Sequence, residues 1–157
     1  QTLKLMNQGK SLNEVFHQVK ISSEILNKPW LRPVYDDPKF LIRMIWRRYG
    51  GWWDGEYDRL LPESRENEAQ EWVELSGGID AIINRALDNL TNKKYKLAAH
   101  LIEVAYYADK RNEKLHEARK EIYAALSKEQ DSSMARNIFN HANLASNELK
   151  RDLASED

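Results

Sequence analysis

The sequence contains no cysteine, which excludes disulfide cross-links and any chemistry that runs through a thiolate. It has no apolar run near the ~20 residues that span a bilayer, so nothing in it asks for a membrane. An excess of one charge is also missing. Against 24 lysines and arginines stand 25 aspartates and glutamates, a net charge of −1, which gives no electrostatic case for nucleic acid. No β-type alternation of useful length occurs. No signal-like segment follows Gln1, and the chain reads as a piece of something longer, with no compartment legible in it.

What is present is helical periodicity. At 157 residues the chain fits one domain and can bury roughly two-thirds of its unfolded surface. Ser11-Leu-Asn-Glu14 is a capping box that predicts a short helix with Leu12, Val15, Phe16 and Val19 inward. Asn27 to Pro33 is a break carrying two prolines. Asp37 caps and Pro38 opens a helix to about Tyr49, with Phe40, Leu41, Met44 and Ile45 at helical spacing. A further helix runs from about Ser64 to Leu75 and ends at Gly77-Gly78, and its Glu63 to Glu68 run reads as a solvated face.

Ile79, Ile82, Ile83, Ala86, Leu87 and Leu90 mark the next helix, closed by a turn at Thr91-Asn-Lys-Lys. Tyr95 to Ala108 carries Ala98, Leu101, Ile102, Ala105 and Ala108 on one stripe, and Lys110-Arg-Asn112 breaks it. Leu115 to Leu126 and Ala135 to Leu149 are the last two periodic segments. The fold class is therefore all-α: an irregular multi-helix domain with a tetratricopeptide-like helical hairpin core. We read residues 1–157 as a single domain, with linker and short helices over 1–36 and the main helical body over 37–157.

The densest chemistry lies between Arg43 and Gly55, which hold three of the five tryptophans, three arginines, a tyrosine and three glycines. Glycines at Gly51 and Gly55 permit backbone conformations closed to other residues, and each tryptophan N–H wants a partner. Arg43, Trp46, Tyr49, Gly51, Trp52, Trp53, Asp54 and Gly55 are the candidate interface or structural turn, with the arginines expected to pair with Asp36, Asp37, Asp54 or Glu56. Arginines among aromatics can also bind an anion or stack a base, but no wider basic stripe supports that here.

These motifs, in this order, resemble the helical dimerisation region of alkyl sulfatases built on the metallo-β-lactamase fold. Gln1 to Gly9 is similar to the link after that family's catalytic domain. Arg43 to Tyr49 followed by Gly51-Trp-Trp-Asp-Gly55, then Leu60-Leu-Pro62, Glu74-Leu-Ser-Gly-Gly78, Tyr95 with Ala98-Ala99, and Ala135-Arg-Asn137 with Glu148-Leu149 follow its pattern. The chain departs from it at Glu56-Tyr57, Leu97, Asp109-Lys110 and Ala135. The resemblance implies an assembly element, a homodimer, of a metal-dependent sulfuric ester hydrolase. Two zinc ions would then sit in a separate catalytic domain, held by an H-x-H-x-D-H cluster that nothing in this chain matches.

No catalytic residue, metal ligand or cofactor-binding residue is nominated within the chain. Glu14-Val-Phe-His17 and Glu113-Lys-Leu-His116 have the Glu-x-x-His spacing of di-iron bundles, which also need two further inward glutamates. Glu14 is better explained as the capping-box acid and Glu113 as an acid favoured in the first turn of a helix. No G-x-S-x-G nucleophile motif is present. Two functions compete: a dimerisation module, and an adapter whose helical groove binds a peptide of another protein. The first needs a self-complementary surface and a dimer; the second allows a monomer with an open groove.

Overall fold

The structure, a computed structural model, describes residues 1–148; Leu149, the last position of the periodic pattern, lies outside them. The described residues form nine helices and no strand. They fall into two compact units, one made of Gln1–Pro62 with Asp131–Met134, the other of residues from Glu63 to Gln130 and from Ala135 onward.

The first unit contains α1 (Thr2–Met6), α2 (Leu12–Gln18), α3 (Ser23–Leu26) and α4 (Pro38–Gly50). Ser11 Oγ accepts from the Glu14 N–H and Glu14 Oε2 accepts from the Ser11 N–H, so the capping box is complete. Asp37 caps α4 by accepting from the Lys39 N–H at 2.7 Å. The Lys39 ammonium then donates to the carbonyls of Phe16 and Val19, tying off the open end of α2. Val15, Val19 and Ile42 are the core, with Leu5, Met6, Leu12 and Trp46 packed around them. Phe16 is only half-buried.

Two features of this unit differ from the sequence reading. Helix α1 is unforeseen, because its five residues have no side-chain cap to announce them. In α4 the residue that faces the core is Ile42, while Leu41 and Met44 are exposed. Both stripes of α4 are apolar enough to be buried, and packing on α1 and α2 selects the one that contains Ile42 and Trp46. Asp131–Met134 joins this unit through Val34 and Tyr35, whose carbonyls accept from the N–H groups of Ser133 and Met134.

The second unit contains α5 (Arg65–Ser76), α6 (Ile79–Thr91), α7 (Tyr95–Ala108), α8 (Glu113–Lys128) and α9 (Ser133–Asn147), whose first two residues count with the first unit. Gly77, at φ 83°, lets the chain turn out of α5 while the Gly78 N–H closes back on the Val73 carbonyl. Of the α7 stripe Ala98, Ile102 and Ala105 are buried, while Leu101 and Ala108 are only partly so. The small side chains of Ala98, Ala105 and, on α8, Ala118 let helices approach closely around Ile83, Ile102, Leu115 and Ile122.

At the centre of this core sits a charge. Arg119 is 1% exposed, and its Nε donates to Glu103 at 2.7 Å. Its Nη1 reaches Ser146 Oγ and the Ala142 carbonyl, and the guanidinium lies between the rings of Tyr106 and Tyr123 at 4.5 and 4.9 Å. A buried cation persists only when paired and hydrogen-bonded. Arg119 is both, and it fastens α8 to α7 and α9.

The tryptophan turn and candidate assembly surface

Helix α4 stops at Gly50, and Gly51, with φ 87°, sends the chain where a side-chain-bearing residue would be strained. The indole N–H of Trp46 donates to the Trp53 carbonyl at 2.9 Å, stapling the turn to the helix before it. The indole N–H of Trp53 donates to the Glu56 carbonyl, and Asp54 Oδ1 accepts from the Glu56 backbone N–H, closing a side-chain-supported turn. The Asp54 carbonyl accepts from the Leu12 N–H, one of the donors left open at the start of α2. Gly55, at φ 88°, passes so near Ser11 that a Cβ would lie 3.1 Å from its Cα. Trp46, Gly51, Trp53, Asp54 and Gly55 thus form one connected turn seated on the capping box of α2.

The other three candidates point elsewhere. Trp52 is 80% exposed, Tyr49 is exposed, and Arg43 lies over the Phe16 ring at 5.2 Å. The arginines do not pair as the sequence reading expects. Asp54 binds Arg59 at 3.4 Å, Asp37 is occupied as a helix cap, and among the described residues Arg43, Arg47 and Arg48 join no ion pair. One oxygen of Asp37 and one of Asp54 accept backbone N–H groups, and the other Asp54 oxygen faces Arg59.

The surface is unusually aromatic. Four of the five tryptophans are exposed, Trp30, Trp52, Trp53 and Trp72, where single exposed aliphatics would be ordinary. Trp72 on α5, 52% exposed, is a residue the sequence reading did not single out, and Leu75, 78% exposed, enters it only as a helix end and motif position. A tryptophan inside an otherwise charged helix was the available signal.

Among the described residues, no three histidine, aspartate or glutamate side chains come together as a metal site. His116 is engaged at both ring nitrogens, by Ser146 Oγ and the Lys110 carbonyl, and Glu14 is held by Lys10 and Ser11. The hydrogen bond from Lys10, then that from the Ser11 N–H, keeps the Glu14 carboxyl below the usual carboxylate range. Lys110 does the same for Glu66 on the surface of the second unit, and is itself raised by that contact. These are helix-end and surface pairings. No described helix is long and apolar enough to cross a membrane.

Known proteins share this architecture. The profile of the alkyl sulfatase dimerisation family matches residues 11–149. The chain is 27% identical over 138 residues to an (R)-specific secondary-alkylsulfatase of Pseudomonas sp., covering 87% of this chain and 21% of that protein. It is 24% identical over 139 residues to an alkyl/aryl-sulfatase of Saccharomyces cerevisiae, covering 88% of this chain and 22% of the relative. The solved structure of a stereoselective inverting sec-alkylsulfatase from Pseudomonas sp. superposes with a TM-score of 0.84 at 26% identity, over 99% of this chain and 24% of that one. The chain therefore spans about a fifth of the length of the curated relatives it matches. The sequence motifs, the all-helical fold and the match over residues 11–149 agree: the chain belongs to the alkyl sulfatase dimerisation family.

Proposed function

We propose that this chain is the dimerisation module of a zinc-dependent hydrolase of the metallo-β-lactamase type resembling alkyl sulfatases, and that it holds two subunits together. The observation that carries the reading is that four of the five tryptophans of a chain in this family are exposed. Large aromatic side chains left in water cost free energy that a partner surface recovers, and they anchor interfaces more than any other residue type. Among the described residues no two-metal ligand set comes together, and in this reading the zinc ions sit in a separate catalytic domain of the parent protein. The hydrolysis of sulfuric esters is that parent's activity, and this chain contributes assembly.

Light scattering on the chain at micromolar concentration tests the reading. A dimer, twice the 18.4 kDa chain mass, is expected. A specific interface would bury about 1,200–2,000 Å² in total. A monomer that captures an unrelated peptide would instead favour the adapter reading.

A further inference from the structure

Two exposed helix faces carry opposite charge and matching apolar residues. On α4, Leu41, Met44 and Arg48 recur at i, i+3 and i+7 on the side away from Ile42, and exposed Trp52 follows just beyond the helix. On α5, Glu68, Glu71 and Leu75 recur at the same spacing on the side away from Ala69, with Trp72 beside them. These four α5 side chains line a shallow open groove with Glu63 and Asn67. Each face is about 10 Å long at the rise of an α-helix. Among the described residues, neither Arg48 nor Glu71 is in an ion pair.

We infer that in the dimer α4 of one copy packs on α5 of its partner, with Leu41, Met44 and Trp52 against Trp72 and Leu75, and Arg48 against Glu71. This rests on the dimer reading above and names the surfaces that make it. A two-fold axis makes each contact twice. Packing each face on its own copy would set Arg48 against Arg48 and Glu71 against Glu71. Crossing the faces sets cation against carboxylate at both ends and buries apolar side chains from both helices.

Charge reversal tests this in the full chain. Arg48→Glu alone and Glu71→Arg alone each bring like charges together twice per dimer, and the dissociation constant should rise ~tenfold or more. An equimolar mixture of the two variants should recover wild-type association as a heterodimer, because both contacts are again of opposite sign. The Arg48→Glu/Glu71→Arg double variant should recover it as a homodimer. If the wild-type chain dimerises and the single variants dimerise equally well, the crossed pairing is wrong while the dimer stands. If the wild-type chain is a monomer, the dimer reading itself fails and this pairing with it. Circular dichroism confirms folding, and Arg48→Asp or Glu68→Arg replaces any variant that does not fold.

Discussion

Gly55 and Arg119 show how single residues carry this fold. At Gly55 a Cβ would press on Ser11, which caps α2, and the backbone already occupies positive φ. Gly55→Val should therefore lower stability by about 1–3 kcal/mol in urea unfolding, with strain and contact acting together. A change within 0.5 kcal/mol of zero, the ordinary range for a neutral surface site, would show that the turn relaxes freely. Arg119→Ala leaves Glu103 without its buried partner and opens space between Tyr106 and Tyr123, at a predicted cost of about 3–5 kcal/mol. Replacing both Arg119 and Glu103 with methionine should recover part of that loss, since the apolar pair leaves no unpaired charge while Tyr123 Oη, Ser146 Oγ and the Ala142 carbonyl each lose a partner. An equally unstable double variant would mean that the contacts of Arg119 to Ser146 and Ala142 matter more than its charge pair.

At the scale of elements, the helix ends were written plainly in the chain. Ser11 with Glu14, Asp37 with Pro38, and Gly77-Gly78 mark ends by local hydrogen bonding that needs no tertiary context. The faces were harder to read. Periodicity places Leu41 and Met44 on one stripe and Ile42 and Trp46 on another, but only packing decides which is covered. Arg119 was illegible for a similar reason, because a buried arginine looks like any surface arginine until Glu103 and Tyr106 of α7 and Ser146 of α9 close over it beside Tyr123 of its own helix. The capping box also has a pH signature. Because the native Glu14 carboxyl is lowered, its contribution is present above the ordinary carboxylate pKa and is lost as pH falls through the lowered native value. Lys10→Met removes the largest cause, so Glu14 should titrate closer to its ordinary value in an NMR pH series. An unmoved Glu14 would place the effect in the Ser11 N–H instead.

At the scale of the whole molecule, the family was legible because ordered motifs from the capping box to the last helix follow one pattern, and the profile match over residues 11–149 confirms it. The complementarity of α4 and α5 was not legible, since it depends on which stripe each helix leaves exposed. Membership of a dimerisation family stands beside two structural observations, tryptophans left in water and faces of opposite charge on two helices. Self-association is the function we propose from them. The most direct test is its mass in solution by light scattering across the micromolar range. Twice the 18.4 kDa chain mass is the predicted result, and a strict monomer at high micromolar concentration would contradict it.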